Sequence, residues 1–423
     1  MLFAAPRVVL LLAFALPLLP SKKIFSSPPS SSSSVPVSAP VGLWHAALVP
    51  TPQYPVLFDV RIVATGKGLA AFLVNGAIEA PFTSAAWDGT TLTLELAHYD
   101  ARIVATRTAG GLAGRYTRVV AAGVADVPFE ASRVAPAAPP APPAGSSLAG
   151  SWDFEMGAAS GTVEKLTGLF TQQGAALAGT LLSLTGDYGA LHGWFDGERF
   201  LLTEFDGVHV YRFDGEVLPD GTLAGDFRSR TNPPAPFRAR RLEGAAAEEN
   251  LPAASAVVRA RDPDARYTFA YPDADGRLVS SEDARFAGKP MLVSFMGTWC
   301  PNCFDEAPVL ENLQAAYGPK GLAIVSLAFE YTDDLERNRR QVKRFIERHG
   351  VTYAVLIAGT TQSASASAAV APLEGWRGYP TTLFLDRRHR IVKTLSGFDG
   401  PATGERYAKA KKELEDGVKA ILR

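Results

Sequence analysis

The chain has 423 residues, of which 47% are hydrophobic and 20% are charged, a composition typical of well-packed globular proteins. This length exceeds what one ordinary core holds, so we expect two or three domains. The 42 basic and 43 acidic residues leave a formal net charge of −1 and form no basic stripe with interleaved aromatic residues, so nucleic-acid binding is not expected.

An apolar run extends from Val8 to Leu19 and follows Arg7. The run is short for a membrane span and fits the apolar part of a secretory signal. Residues 1–20 are therefore predicted to be a signal peptide or an uncleaved membrane anchor. Residues 21–40 are rich in Ser and Pro and are expected to form a tether. Both interpretations place the protein outside the cytoplasm, in the periplasm or cell envelope.

An internal repeat follows the tether. Trp44 and Trp152 lie 108 positions apart, and Asp-Gly turns that begin at Asp88 and Asp196 have the same separation. The stretches "PFEASR" and "PFRARR" also repeat at this distance. Several independent anchors at one offset indicate a duplication.

Composition shifts divide the chain further. We predict β-rich repeats at 41–134 and 148–243, a Pro/Ala linker at 135–147, a second linker at 244–256 and a C-terminal domain at 257–423. Short alternating segments between Gly and Asp-Gly turns predict an antiparallel β structure, either a barrel or a sandwich. The pattern leaves open whether the repeats share one barrel or close separately.

Several aromatic residues of the second repeat are candidates for a ligand cavity. An ordinary aromatic core of a β protein is the alternative interpretation. The candidates are Tyr188, Trp194, Phe205, His209 and Tyr211.

From residue 257 onward the pattern changes to apolar strands that alternate with amphipathic helices. The stretches "PMLVSFMG" and "GLAIVSLAFE" are continuously apolar, as expected for strands covered by helices on both faces. The stretch "DDLERNRRQVKRFIERHG" has apolar residues at helical spacing and ends at Gly350. This order predicts an α/β domain with a mixed central sheet and helices on both faces.

Cys300 and Cys303 are the two cysteines of the chain and lie where a predicted strand gives way to a helix. Unpaired N–H groups and the helix dipole stabilise a thiolate there, so Cys300 is the expected nucleophile and Cys303 its partner in a disulfide. A structural zinc site would need more ligands than the sequence offers. A structural disulfide across three positions would close too small a loop to add much stability. A redox pair is the favoured interpretation, and no metal or cofactor is expected.

Residues from about 266 to 423 resemble the TlpA/ResA-like branch of the thioredoxin fold, the exported thiol-disulfide oxidoreductases. The matching stretches are "DADGRLVSSEDARFAGKPMLVSFMGTWCPNCFDEAPVLENL", "GLAIVSLAFE" and "GYPTTLFLD". The resemblance implies a protein disulfide reductase that takes electrons from a membrane thiol donor and passes them to a disulfide-bearing protein. It also implies a cis Pro380 opposite the cysteines and a substrate groove. The groove residues would be Trp299, Pro301, Asn302, Tyr379 and Pro380.

Glu306 is the acidic residue that the resemblance places just after the second cysteine. It would tune the thiols or accept the proton that Cys303 must lose. The alternative is a solvated carboxylate in the first helical turn that only favours the helix dipole. Thioredoxin carries a buried Asp in the strand before its cysteine pair, and Ser294 stands there in this chain, which increases the importance of Glu306.

Two other functions remain as alternatives. A peroxiredoxin-like peroxidase would carry Pro and Thr seven and three positions before the reactive cysteine, but Val293 and Gly297 stand there. In the second alternative, the β-rich repeats bind a ligand or partner and the redox domain is accessory.

Overall fold

A computed structural model describes residues 39–137, 139–157, 161–243 and 250–423. The predicted signal or anchor, nearly all of the tether and half of the second linker lie outside these residues. None of the helices in these ranges combines the length and the apolar character that crossing a bilayer requires.

The first β-rich repeat is a closed barrel. Neighbouring strands pair in chain order, and β1 pairs with both β2 and β9, which closes the sheet. Eight strands form the wall, because the short β4 is an extension beside β3. The strands are β1 Gly42–Leu48, β2 Val56–Thr65, β3 Gly68–Asn75, β4 Ile78–Pro81, β5 Ser84–Trp87, β6 Thr91–Leu96, β7 Ala101–Thr108, β8 Gly111–Val120 and β9 Gly123–Ser132, with a 3-10 helix at Ala97–Tyr99.

The second repeat closes separately into its own eight-stranded barrel, which answers the question that the sequence left open. Here β10 pairs with both β11 and β18, and the short β13 extends the wall beside β12. The strands are β10 Gly150–Gly157, β11 Val163–Gln173, β12 Ala176–Ser183, β13 Gly186–Asp187, β14 Leu191–Phe195, β15 Arg199–Phe205, β16 Val210–Val217, β17 Leu223–Ser229 and β18 Ala235–Leu242.

The duplication is visible in individual contacts. The Trp44 indole N–H donates to the carbonyl oxygen four residues earlier at 2.8 Å, and Trp152 repeats this bond at 2.9 Å. Arg133 lies over the Trp44 ring at 4.0 Å, and Arg241 lies over Trp152 at 4.5 Å. Matched hydrogen bonds and cation–π contacts confirm the internal repeat.

The C-terminal domain has the predicted mixed sheet, in the order β24-β23-β22-β26-β27. Strands β22, β23 and β24 are parallel, and β26 and β27 are antiparallel to their neighbours. The strands are β19 Arg259–Ala260, β20 Ala270–Pro272, β21 Leu278–Ser280, β22 Met291–Met296, β23 Ala323–Glu330, β24 Ala354–Thr360, β25 Leu373–Glu374, β26 Thr381–Leu385 and β27 Ile391–Ser396.

Five α-helices accompany this sheet. Side chains of α2, α3 and α5 pack on one face, and those of α4 pack on the other. The helices are α1 Ala254–Val257, α2 Pro301–Tyr317, α3 Leu335–His349, α4 Ala364–Val370 and α5 Glu405–Leu422, with 3-10 helices at Gly318–Lys320 and Pro401–Thr403.

The first barrel and the C-terminal domain share one hydrophobic core, to which Phe205, Val208 and Val210 of the second barrel also belong. Most of the other buried apolar residues of the second barrel form a separate core. Tyr99 of the first barrel lies 4.7 Å from Phe304 of α2, measured between ring centroids. Arg337 of α3 forms an ion pair with Asp100 of the barrel at 2.6 Å. This junction places the first barrel directly beside the cysteine pair.

Candidate functional site

The structure joins Cys300 and Cys303 in a disulfide at the N-terminus of α2. Cys300 is the N-cap residue, and its Sγ accepts a hydrogen bond from the Cys303 N–H at 3.3 Å. Such a bond to the sulfur stabilises a thiolate after the disulfide is reduced. The side chains are 4% and 2% exposed, so protein surrounds the pair.

Aromatic side chains form the wall beside Cys300. The Trp299 indole N–H donates to the Phe329 carbonyl oxygen at 2.8 Å, which fixes the ring. The ring stacks on Tyr331 with centroids 4.4 Å apart and meets the edge of Tyr379 at 5.5 Å. The bond between Tyr379 and Pro380 is cis, as the resemblance implies.

Both barrels contribute to the cavity around Cys300. This cavity, named here the cysteine cleft, has a volume of about 360 Å³. The second barrel supplies tyrosine and arginine side chains, the first barrel supplies an arginine, and the C-terminal domain supplies the cysteine. Its principal lining residues are Arg118, Tyr188, Tyr211, Arg230, Trp299 and Cys300.

Three of the five aromatic candidates of the second repeat line the cysteine cleft. They are Tyr188, His209 and Tyr211. Phe205 instead packs between the barrels, 4.7 Å from the Phe58 ring. Trp194 is not among the residues of the cleft wall. The alternative interpretation, an ordinary aromatic core, therefore describes only part of this aromatic set.

Asn302, between the two cysteines, connects α2 to the second barrel. Its amide lies 3.3 Å from the Asp187 carboxylate and donates to the Phe398 carbonyl oxygen at 3.2 Å. Asp187 also accepts a hydrogen bond from the Gly400 N–H at 2.6 Å. Asn302 thus borders the cysteine cleft while its polar atoms contact the barrel and the C-terminal loop.

Glu306 is 2% exposed, so it is not the solvated carboxylate of the alternative interpretation. Ser294 Oγ donates to one carboxylate oxygen at 2.8 Å, and Thr382 Oγ1 donates to the other at 2.7 Å. Burial raises the pKa of Glu306 to about 7, although these two hydrogen bonds favour the charged form. Ser294, which replaces the buried Asp of thioredoxin, is therefore a direct partner of Glu306.

A second carboxyl on α2, Asp305, faces acidic groups of the second barrel. Burial, followed by the charges of Asp187 and Asp206, raises the pKa of Asp305 to about 8. The folded protein therefore binds this proton more tightly than the unfolded chain does. Stability from this group is lost as pH rises from about 4, near the unfolded pKa, to about 8.

We expect Asp305→Asn to raise the melting temperature at pH 9, because the amide removes a carboxylate that burial and two neighbouring charges disfavour. At pH 4 the difference from the unsubstituted protein should shrink, since Asp305 is then largely protonated in the folded state. Thermal melts at both pH values test this. An equal difference at pH 4 and pH 9 would contradict the titration of Asp305.

Sequence reasoning missed Arg118, Arg230 and Tyr331 as residues of the cysteine cleft. Arg118 lies in β8 and Arg230 directly follows β17, and no local motif marks either residue. Within the described ranges, no group of three or more His, Cys, Asp or Glu side chains is arranged to hold a metal ion.

The profile of the Redoxin family matches residues 247–410. The C-terminal region is a redoxin domain with the thioredoxin fold. It is 28% identical over 141 residues to the thiol-disulfide oxidoreductase ResA of Bacillus thuringiensis (strain Al Hakam), an alignment that spans 33% of this chain and 73% of the relative. It is also 32% identical over 120 residues to the thioredoxin-like protein YneN of Bacillus subtilis (strain 168), which spans 28% of this chain and 62% of that protein.

Among solved structures, the redoxin domain is similar to a thiol:disulfide interchange protein of Chlorobium tepidum TLS. The sequence identity is 24% and the TM-score is 0.31. The match covers 39% of this chain and 100% of that protein.

Proposed function

We propose that the protein is an exported thiol-disulfide oxidoreductase that reduces disulfides through Cys300 and Cys303. The observation that carries this proposal is the disulfide at the N-terminus of α2, with Gly378 and Tyr379, which precede Pro380, lining the same cavity. The similarity of the redoxin domain to thiol-disulfide oxidoreductases supports it. Export rests on the apolar segment before the tether.

In the reducing direction the dithiol form of the protein starts the cycle. The Cys300 thiolate attacks one sulfur of a substrate disulfide, forms a mixed disulfide and expels the other substrate sulfur as a thiolate. The Cys303 thiolate then attacks Cys300 Sγ, re-forms the internal disulfide and releases the second substrate thiolate. Two electrons pass to the substrate, and an external dithiol of the envelope must return them.

Glu306 is the proposed proton acceptor for the second step. It follows Cys303 by three positions on α2, so both side chains lie on the same face of the helix. A pKa of about 7 suits a general base near neutral pH. Glu306 also borders a second cavity of about 410 Å³ beside α5, which offers the proton a route away from the cysteines.

For Glu306→Gln we expect resolution of the mixed disulfide to slow about 10- to 100-fold at pH 7, at the low end of what a general base contributes. The rate in the unsubstituted protein should rise with pH through about 7. In the variant it should rise only near the pKa of an ordinary thiol, about 8.5. Rapid mixing of the reduced proteins with a disulfide, followed by acid quench and mass spectrometry, measures this step.

Glu311→Gln is the matched control, because Glu311 lies on the same helix but binds Thr352. It should leave the pH profile unchanged. A Glu306→Gln profile that is identical to that of the unsubstituted protein would refute the role as proton acceptor.

The direction of electron flow is tested by the reduction potential of the Cys300–Cys303 couple in glutathione buffers. A value near that of thioredoxin, about −270 mV, supports reduction of substrates. A value near about −120 mV would instead assign the protein to disulfide donation.

The barrels belong to the same functional unit in this proposal. They contribute Arg118, Tyr188, Tyr211 and Arg230 to the cavity that contains Cys300. A substrate disulfide therefore contacts barrel side chains during exchange. This supports a role of the β-rich repeats in substrate selection.

A further inference from the structure

Three arginines border the cysteine cleft, one from each folded unit: Arg118, Arg230 and Arg377. Arg118 is 1% exposed, Arg230 is half-buried and Arg377 is exposed at the rim. Across the described part of the chain, none of the three takes part in an ion pair. A buried cation without a counter-charge is costly, which points to an anion that occupies the cleft during function.

The Arg118 guanidinium is held in place, but not all of its N–H groups have hydrogen-bond partners. One terminal nitrogen, Nη2, donates to the Trp299 carbonyl oxygen at 3.3 Å, next to Cys300 in the chain. Its Nε and Nη1 are buried and have no hydrogen-bond partner among the described residues. Nη1 of Arg230 is in the same condition. Arginine donors in a fixed, planar group match the geometry of a carboxylate.

Arg118, Arg230 and Tyr331 line the same cavity. Burial raises the pKa of the Tyr331 phenol, whereas the charges of Arg118 and Arg230 and a hydrogen bond from the Arg118 side chain lower it. The Arg118 Cζ is 5.7 Å from the centre of the Tyr331 ring. The first and second barrels therefore present their cations to one region of the cleft.

The acidic residues of the cleft wall do not supply a counter-charge for Arg118 and Arg230. They are Glu164 and Asp187. Asp187 already accepts hydrogen bonds from the Gly400 and Gly189 N–H groups at 2.6 and 2.8 Å. Glu164 is exposed and takes part in none of the ion pairs found within the described ranges.

We propose that Arg118 and Arg230 form a subsite for a carboxylate that the substrate carries close to its disulfide. This inference rests on the proposed thiol-disulfide exchange at Cys300. The carboxylate binds the free guanidinium N–H groups and holds the disulfide beside the Cys300 sulfur. A cavity of about 360 Å³ accepts a small disulfide or an extended peptide segment, but not a folded protein domain.

The chemical step is unchanged by the subsite. The Cys300 thiolate forms a bond to the near sulfur of the bound disulfide, the substrate S–S bond breaks, and the departing thiolate carries its own carboxylate away. Cys303 then releases the second thiolate, so the two electrons of the protein dithiol reduce one disulfide to two thiols.

The test compares small disulfides that differ in charge. Reduced, desalted full-length protein is mixed with dithiodiglycolate, which is a dianion, or with neutral bis(2-hydroxyethyl) disulfide, and released thiols are measured in a single turnover. Each rate is divided by the rate at which free dithiothreitol reduces the same disulfide. This division corrects for the different intrinsic reactivities of the two disulfides. We expect a preference of about 10- to 100-fold for the dianion, the contribution of a hydrogen bond to a charged group.

Arg118→Gln should abolish this preference, so that the ratio of the rate with the dianion to the rate with the neutral disulfide falls to about one, and Arg118→Lys should keep part of the preference because the charge remains. Arg230→Gln gives a second route to the same result if Arg118→Gln fails to fold. Arg115→Gln is the matched control, since Arg115 lies on the same strand but is exposed and paired with Asp126. It should change neither rate.

A second pair of substrates identifies the source of the carboxylate. These are extended peptides with an intermolecular disulfide whose cysteine is flanked by Glu or by Gln. A larger preference for dithiodiglycolate supports a small-molecule source, and a larger preference for the Glu peptide supports a peptide source.

Equal rates with charged and neutral disulfides, or an equal loss of both in Arg118→Gln, would overturn the carboxylate subsite. In that case a reaction that still depends on Cys300 would leave the proposed function standing. If neither disulfide is reduced, the proposed function itself fails.

Discussion

Replacement of Cys300 by Ser is expected to lower the rate of disulfide reduction by at least about 1,000-fold, the scale of loss when an enzyme loses its nucleophile. A Ser hydroxyl does not ionise near neutral pH, so the helix N-terminus has no thiolate to stabilise. The measurement is release of thiols from bis(2-hydroxyethyl) disulfide by the reduced protein. Reduction at an unchanged rate would show that Cys300 is not the attacking group.

Cys303→Ser distinguishes the two cysteines. This variant retains the attacking thiol but lacks the group that resolves the mixed disulfide. We expect it to stop after one exchange, with one substrate fragment bound to each protein molecule. Mass spectrometry of the intact protein measures the added mass, and its loss after dithiothreitol treatment shows that the link is a disulfide. A variant that completes the cycle would contradict the assigned order of attack.

Tyr99→Ala is expected to have the largest effect on stability at the junction of the first barrel with the redoxin domain. Tyr99 is buried and its ring packs on Phe304, the residue after Cys303. Removing a buried aromatic side chain typically costs about 3–5 kcal/mol. Urea unfolding should show this loss in the free energy of unfolding.

The same substitution should also make the Cys300–Cys303 disulfide more accessible. With the ring absent, the contact that holds the barrel against the N-terminal part of α2 is weakened. We therefore expect faster reduction of the disulfide by a protein dithiol such as thioredoxin, while reduction by a small phosphine changes less. Trp44→Ala is the matched control, because Trp44 is a buried aromatic residue of the same barrel whose ring packs against Arg133, next to β9. This control should lower stability without changing the ratio of the reduction rate with the protein dithiol to the reduction rate with the phosphine.

Local patterns were sufficient to predict the redoxin domain. Continuous apolar strands, helix stop signals such as Gly350 and the spacing of Cys300 and Cys303 each depend on residues close together in the chain. The mixed sheet and the disulfide at a helix N-terminus agree with these predictions. The cis bond before Pro380 agrees with what the family resemblance implies. The short helix α4 was missed, because its Ala- and Ser-rich sequence lacks an amphipathic pattern.

The contribution of the barrels to the site could not be predicted in this way. In the sequence, Arg118 resembles any charged residue of a β-strand. Only the fold brings it to the carbonyl oxygen of Trp299, which lies 181 positions further along the chain. The burial of Glu306 was also beyond local reasoning, since it results from strands β22 and β26, which supply Ser294 and Thr382. Contacts between distant segments create the electrostatics of this site.

The hydrogen bonds of Asn302 have a consequence for protein engineering. The two residues between the cysteines are an obvious target for tuning redox chemistry, because groups close to a thiol set its pKa. Here one of those residues also contacts Asp187 of the second barrel and Phe398 of the C-terminal loop. Selection from a library randomised at residues 301 and 302 would therefore act on the docking of the domains and on the reduction potential at the same time. Compensating changes at Asp187 would be needed to separate the two properties.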